Sequence, residues 1–149
     1  MLKYINLYIE KRYELSAIYK RYEKDNFKFA TVYGKIITLA ATTDDTNIQL
    51  ALCNPRLLAL IAVYTSYQGS LDDDFVCNFI YDVEKVLARN DNTDGKVLEI
   101  LSTNKNEQIR KYVASHENVS IDTIMKMKEK ETSENVLYYI KEKIKRSIR

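Results

Sequence analysis

The side chains of this sequence that could act as acids, bases or nucleophiles are few. His116 is the only histidine, and Cys53 and Cys77 are the only cysteines. A catalytic base needs an orienting partner and a target proton, and Glu117 beside His116 implies no nucleophile. Two cysteines and one histidine are also too few for a four-ligand zinc site. We therefore expect His116 to be structural or solvent-exposed, and both cysteines, which lie in apolar surroundings, to be buried thiols.

Two acidic runs are the next candidates, because carboxylates bind hard cations. Asp44–Asp45 and the run of Asp72, Asp73 and Asp74 lack the alternating oxygen ligands and the closing glutamate of a calcium loop. Negative charge and capping at helix N-termini explain both runs better. The chain has no dinucleotide-binding, Walker, serine-hydrolase or zinc-protease signature. The sequence predicts no catalytic residue, no cofactor and no metal site, and hence a protein that is not an enzyme.

The chain has twelve tyrosines and no tryptophan. At helical spacing, tyrosine rings pack in the core or at its rim while the hydroxyl reaches water. Tyrosine is also enriched in recognition surfaces, so an interface is the second interpretation. The interface candidates on the first predicted helix are Tyr4, Tyr8, Arg12 and Tyr19. The same helix is a candidate for homodimerisation.

Length and composition indicate a compact helical protein. The chain has 149 residues, of which 46% are apolar and 30% charged, enough for one domain with its own core. Only three glycines and one proline occur, whereas sandwiches and barrels need many turn residues. No run approaches the roughly 20 apolar residues that span a bilayer, and the N-terminus lacks the pattern of a signal peptide. We expect an all-α, cytoplasmic protein that does not enter a membrane.

Charge is unevenly distributed, although the net charge is only +2. Counted from Lys, Arg, Asp and Glu, residues 1–35 carry +4, residues 36–95 carry −6 and residues 96–149 carry +4. The first interpretation is ordinary solvated helix faces, and the second is two electrostatically distinct surfaces. An acidic centre of this kind would suit a basic partner, or would mimic nucleic acid towards a nucleic-acid-binding protein.

Apolar residues recur every three or four positions, which predicts short amphipathic helices joined by polar turns. Asn54 before Pro55 marks a helix stop and restart, because proline disfavours the α conformation before it and suits a first turn. The predicted helices are residues 2–24, 27–42, 48–53, 55–67, 75–88, 96–102, 107–114, 120–130 and 133–147.

Two halves of a helical unit recur along the chain. The segment LAATTDDTNIQLALCNP aligns with LSTNKNEQIRKYVASHE in its polar turn and apolar positions, and a looser third copy places Val136 27 residues after Ile109. The other half recurs as ARNDNTDGKVLEILS and ASHENVSIDTIMKMK. Helices this short are marginal alone, so we expect neighbouring units to stack into one core. The expected core positions include Leu87, Val97, Leu101, Ile109 and Val113.

This pattern resembles the leucine-rich repeat variant (LRV) family, whose units are similar in shape to HEAT-like helical repeats. The matched positions in NEQIRKYVASHENVSIDTIMKM are Ile109, Arg110, Val113, Ala114 and Ile124. The expected Asn–Pro is instead Ser115–His116. The resemblance covers roughly residues 36–55 and 88–140.

The resemblance implies one all-α domain, residues 1–149, built as a short right-handed stack of helical repeats. Residues 34–149 would form the repeats, and residues 1–33 would form a long N-terminal capping helix. Some LRV proteins carry an iron–sulfur cluster on a cysteine-rich module. This chain has no such set of cysteines, so nothing in the sequence supports a cluster.

Two functions suit such a scaffold. The first is a non-enzymatic module that binds another protein, as an adaptor or as an inhibitor such as a mobile element encodes. Its candidate contacts outside the first helix are Arg110, Lys111, Asp72, Asp73 and Asp74. The alternative is nucleic-acid binding, with phosphates contacted by basic side chains on a HEAT-like face. Those side chains would be Arg110, Lys111, Lys126, Lys128, Lys141, Lys145, Arg146 and Arg149. A repair glycosylase on HEAT-like repeats is a third interpretation, for which the sequence identifies no catalytic carboxylate.

Overall fold

The computed structural model describes residues 29–65 and 73–148, and within these two ranges every regular element is an α-helix. The expectation of an all-α protein is confirmed for this part of the chain. The helix predicted at residues 2–24, and most of the cap predicted at residues 1–33, lie outside it. The eight described helices are α1 (Phe29–Thr42), α2 (Thr46–Leu52), α3 (Pro55–Thr65), α4 (Asp73–Arg89), α5 (Gly95–Leu101), α6 (Glu107–Ser115), α7 (Ile121–Lys130) and α8 (Glu134–Ile148). None of these eight is both long enough and apolar enough to cross a bilayer.

Polar side chains at the N-termini set where several helices begin. Asp45 Oδ1 accepts a main-chain N–H at 2.8 Å at the start of α2. Equivalent bonds start α5 at Asp94, α6 at Asn106 and α7 at Ser120. Each cap satisfies main-chain donors that have no partner inside the helix, which is worth about 1 kcal/mol. The capping role predicted for the first acidic run is confirmed at Asp45.

The predicted break before Pro55 is also confirmed. Helix α2 ends at Leu52, and α3 begins at Pro55. Asn54 Oδ1 accepts the N–H groups of Arg56 (3.0 Å) and Leu57 (3.3 Å). Proline has no N–H to leave unpaired in a first turn and Asn54 supplies the cap, so the chain starts a new helix within three residues.

One core connects the described helices. Helix α1 packs on α4, α4 on α6, and α6 on α8, while α7 packs on α8 and the short helices α2, α3 and α5 pack against α4. The predicted core positions are confirmed, since each is at most 2% exposed: Leu87, Val97, Leu101, Ile109 and Val113. Helices of seven to ten residues gain their stability from this shared burial rather than from their own propensity.

Polar side chains tie successive turns together beside this core. The Asn90 side-chain amide donates to the carbonyl oxygens of Ala40 (3.0 Å) and Thr43 (2.9 Å). His116 Nε2 lies 2.8 Å from the carbonyl oxygen of Asn90. Lys143 Nζ in turn donates to the carbonyl oxygen of His116 at 2.9 Å. Contacts between a side-chain nitrogen and a main-chain carbonyl oxygen therefore link the turns in three steps, from the end of α1 to α8.

One expectation about the cysteines is wrong. Cys77 is exposed, whereas Cys53 is buried as predicted, and both are free thiols. The buried stripe of α4 consists of Phe79, Val83 and Leu87. Residues two apart on a helix point about 200° apart, so the thiol two positions before Phe79 faces away from the core. The prediction that Cys77 is buried was made from its apolar neighbours in the sequence, and these do not determine which way the thiol points.

Candidate interaction surface

The adjacent helices α4, α6 and α8 place cationic side chains over tyrosine rings. The guanidinium carbon of Arg89 on α4 lies 5.3 Å from the ring centroid of Tyr112 on α6. The ammonium nitrogen of Lys111 on α6 lies 5.7 Å from the ring centroid of Tyr139 on α8. Both distances allow cation–π attraction, which is worth about 0.5–1 kcal/mol at exposed sites. Each pair bridges two helices.

The row continues at both ends. On α4, Lys85 Nζ lies 6.0 Å from the ring centroid of Tyr81. On α8, Tyr138 packs edge-on against Tyr139, with 5.3 Å between centroids, and is 60% exposed. Lys143 follows one turn later on the same helix. We call this row the Tyr/cation strip; it comprises Tyr81, Lys85, Arg89, Lys111, Tyr112, Tyr138, Tyr139 and Lys143.

A cleft of about 270 Å³ opens within the strip, beside Arg89 and Tyr112. Asp91 and Glu117 line the same cleft, so it holds two carboxylates and one guanidinium. Small-molecule sites usually exceed roughly 300 Å³ and bury most of their ligand. The cleft has room for one side chain of a partner rather than for a whole cofactor.

His116 has a structural position next to this cleft. Its ring is buried, Nε2 lies 2.8 Å from the Asn90 carbonyl oxygen, and Nδ1 accepts the Asn118 N–H at 3.0 Å. A carbonyl requires a donor and an N–H requires an acceptor, so the neutral Nε2–H tautomer satisfies both contacts. Both ring nitrogens are thereby occupied by main-chain groups. Of the two positions expected for His116, structural or solvent-exposed, the ring has the buried one.

Arg110 is held by partners inside the protein. Its Nε and Nη2 atoms pair with the two carboxylate oxygens of Glu131 at 2.8 and 3.0 Å, and Nη1 donates to the carbonyl oxygens of Asn104 and Lys105. The Arg110 side chain is 20% exposed and that of Glu131 only 3%. The hydrogen bonds from Arg110 hold the pKa of Glu131 below its ordinary range, and the same bonds raise the pKa of Arg110. Arg110 therefore links α6 to the turn after α7, and its proposed contact with a partner stays a prediction.

A second, larger cleft surrounds this ion pair. Its volume is about 680 Å³, and Lys105, Lys126, Lys130 and Glu129 line it together with the Arg110–Glu131 pair. Lys126 is already paired with Glu99 at 3.4 Å. The basic and acidic groups that line this cleft therefore nearly balance in number, and the cleft presents no strong charge to a ligand.

The other residues that were predicted to contact a partner fall into three groups: one lies in the strip, two lie in α4, and the rest lie outside the described residues. Lys111 belongs to the strip, and Asp73 and Asp74 form the first turn of α4. Tyr4, Tyr8, Arg12, Tyr19 and Asp72 lie outside the described residues. The structure thus brings Lys111 into a cluster with groups that the sequence-based prediction missed, chiefly Arg89, Tyr112 and Tyr139. A usable signal existed, since Tyr112 and Tyr139 are 27 residues apart, the same spacing as Ile109 and Val136.

Two wholly or partly buried titratable groups, Cys53 and Glu84, line neither of the two clefts. Burial raises the pKa of the Cys53 thiol, and the nearby carboxylate of Glu84 adds to this. Burial also raises the pKa of Glu84, against the opposing effect of a 2.6 Å hydrogen bond from Asn104. A thiol held protonated is a poor nucleophile. Within residues 29–65 and 73–148, no three His, Cys, Asp or Glu side chains come together as metal ligands.

No family model, curated protein or solved structure matches this chain. The resemblance to LRV and HEAT-like repeats therefore depends on the sequence pattern alone.

Proposed function

We propose that this protein is a non-enzymatic module that binds another protein, as an adaptor or inhibitor in the cytoplasm. The Tyr/cation strip is the observation that carries the proposal. Tyrosine and arginine are enriched where proteins recognise one another, because they combine a large contact area with polar or charged ends. In the strip, cation–π contacts already order these side chains, which lowers the entropy lost on binding.

The scaffold proposed for this module is a short right-handed stack of LRV/HEAT-like repeats. Three pairs of positions 27 residues apart support it. Asn106 and Ser133 each precede a helix and accept N–H bonds from its first turn, at 2.8 and 3.4 Å. Ile109 corresponds to Val136 and Val113 to Ile140, and all four are 0% exposed.

Affinity capture and cross-linking of the full chain test this function. The chain is used as bait in a lysate, captured proteins are cross-linked, and the sites on the bait are identified by mass spectrometry. We expect a protein partner whose cross-links cluster at lysines of α4, α6 and α8. Sedimentation of the pure chain tests homodimerisation as a second mode of association. The proposal fails if neither a partner nor self-association is found.

Nucleic-acid binding is the alternative with less support. Arg149, one of the eight basic residues predicted to contact phosphates, lies outside the described residues. Of the other seven, three already pair with carboxylates: Arg110 with Glu131, Lys126 with Glu99 and Lys145 with Glu142. Phosphate contacts make affinity fall steeply with salt. Retardation of DNA or RNA in a gel at low salt, lost as salt is raised, would favour this alternative over protein binding.

A further inference from the structure

We propose that the outer face of α8 binds the same face of a second copy of this chain, with the two helices antiparallel. This inference rests on the proposed function, in which self-association is the second mode, and names the surface that carries it. The surface consists of five exposed positions, which we call the α8 stripe: Glu134, Tyr138, Lys141, Lys145 and Ile148.

The α8 stripe lies on the side of its helix that faces away from the core. A helix turns by about 100° per residue, so the five positions fall within about 80° of one another around the axis. Val136 and Ile140, which are 0% exposed, lie on the opposite side. Tyr138 is 60% exposed and Ile148 is 80% exposed, the two highest values among the large apolar side chains of the described residues. Covering them with a second copy removes apolar surface from water, which favours association.

The order of charges along the α8 stripe favours an antiparallel copy as the occupant. Glu134 lies in the first turn of α8, and Lys145 lies in the last turn. The spacing from Glu134 to Tyr138 equals the spacing from Lys141 to Lys145. When Tyr138 faces Lys141 of the second copy, Glu134 therefore faces Lys145 of that copy. Two-fold symmetry forms each contact twice, which gives two ion pairs and two cation–π contacts.

A parallel copy has no such match, because it would place Glu134 against Glu134 and Lys145 against Lys145. Among the described residues, no ion pair includes Glu134 or Lys141. Lys145 pairs with Glu142 at 3.3 Å, but these side chains are 73% and 37% exposed, and a pair so open to water contributes little. Counted with Glu142, which flanks it, the stripe carries two carboxylates and two ammonium groups, so two copies meet without a net charge.

The length of the stripe limits the strength of the pair. From Glu134 to Ile148 the helix rises by about 21 Å. Interfaces that bury less than roughly 1,200 Å² in total are typical of transient complexes. We therefore expect a Kd on the order of 100 μM at low salt, which rises as salt screens the ion pairs. Tyr138 also belongs to the Tyr/cation strip, so self-association covers one end of that strip.

Sedimentation equilibrium of the full chain with reversed charges tests the pairing. Glu134→Lys and Lys145→Glu should each weaken self-association at least about tenfold, because each variant sets like charges against each other at both ends of the pair. An equimolar mixture of the two variants should associate within about threefold of the unaltered chain, because every lysine then faces a glutamate of the other variant. A mixture that associates no better than its components would overturn the proposal.

The matched controls are Asp122→Lys and Lys96→Glu, which reverse one acidic and one basic residue at exposed positions in the first turns of α7 and α5. We expect each control to associate like the unaltered chain, and their mixture to gain nothing. Circular dichroism checks that every variant is folded. Equal weakening in the controls would mean that net charge, and not the α8 stripe, determines association.

The pairing and the proposed function fail separately. If the unaltered chain stays monomeric at about 1 mM, tenfold above the expected Kd, the pairing is wrong, while capture of a protein partner still supports the proposed function. If the chain associates but the α8 variants leave association unchanged, another surface carries it and the pairing is again wrong. If neither a partner nor self-association is detected, the proposed function itself fails.

Discussion

The Arg110–Glu131 ion pair should stabilise the fold more than any other described salt bridge. The perturbation is a double-mutant cycle with Arg110→Met and Glu131→Gln, which remove each charge but keep much of the side-chain volume. Two charge-assisted hydrogen bonds of 2.8 and 3.0 Å join the pair, and the Glu131 side chain is 3% exposed. Breaking a buried pair on one side costs about 3–5 kcal/mol.

The expected cost of each single variant depends on the partners that the remaining residue keeps. After Arg110→Met, the buried carboxylate of Glu131 keeps only main-chain N–H donors from Thr132 and Ser133, at 3.2 and 3.0 Å. We expect a loss of about 3 kcal/mol in the free energy of unfolding. After Glu131→Gln, Arg110 keeps its two carbonyl acceptors and its 20% exposure, so we expect about 2 kcal/mol. The coupling energy of the pair should be about 2 kcal/mol.

Urea unfolding followed by circular dichroism measures these values. The control cycle is Lys126→Met and Glu99→Gln, because the Lys126 and Glu99 side chains are 70% and 55% exposed and their 3.4 Å pair is open to water. Its coupling energy should be below about 0.5 kcal/mol. If the two cycles give the same coupling energy, burial does not strengthen the Arg110–Glu131 pair and our interpretation is wrong.

The same pair predicts a dependence of stability on pH. The pKa of Glu131 is lower in the folded protein than its ordinary value of 4.5, so the unfolded chain binds the proton first as pH falls. The stabilisation is therefore fully present above the ordinary value and is lost as pH falls through the folded value. The difference in stability between the unaltered protein and Glu131→Gln should shrink over that window. A difference that stays constant there would contradict the lowered pKa.

Three further predictions concern the core, a turn and the thiols. Ile109→Ala should lower the free energy of unfolding, measured by urea unfolding, by about 3–4 kcal/mol, because the side chain is 0% exposed and its loss leaves a cavity. A loss below about 1 kcal/mol would mean that the site collapses or is not packed. His116→Ala should cost about 2 kcal/mol by the same measurement, since it leaves the Asn118 N–H and a carbonyl without their partner, and a neutral result would mean that water replaces the ring. Cys77 should react with a thiol reagent in the folded protein, while Cys53 should react only after unfolding; comparable rates for the two in the native protein would contradict their assigned exposures.

The helix boundaries could be predicted because the interactions that set them are local. Asp45 and Asn54 cap helices by bonding to N–H groups two or three residues ahead, so the sequence alone reveals them. The core positions follow from helical periodicity in the same way, and Ile109 and Val113 are buried as expected. Cys77 shows the limit of this approach, because apolar neighbours do not determine which side of a helix faces the core.

The surface features depend on contacts that the sequence does not contain. His116 contacts the carbonyl oxygen of Asn90, which lies 26 residues earlier in the sequence. Arg110 pairs with Glu131, which lies 21 residues later. Whether a basic side chain is available to a partner or already paired is decided by what the neighbouring helix presents to it. Arg110 and Lys111 are adjacent in sequence and looked equivalent, yet a helix turns by about 100° per residue and directs them to different neighbours.

The sequence by itself determined that the described part of this chain is helical and placed the helix bounds within two residues. It also determined the core positions named above. Each of these follows from hydrogen bonds within a few residues and from the period of the helix. Only the tertiary structure decided that Arg110 stabilises the fold while Lys111 joins Arg89, Tyr112 and Tyr139 in a surface strip. That assignment depends on how α4, α6 and α8 pack against one another, which brings together side chains that are distant along the chain.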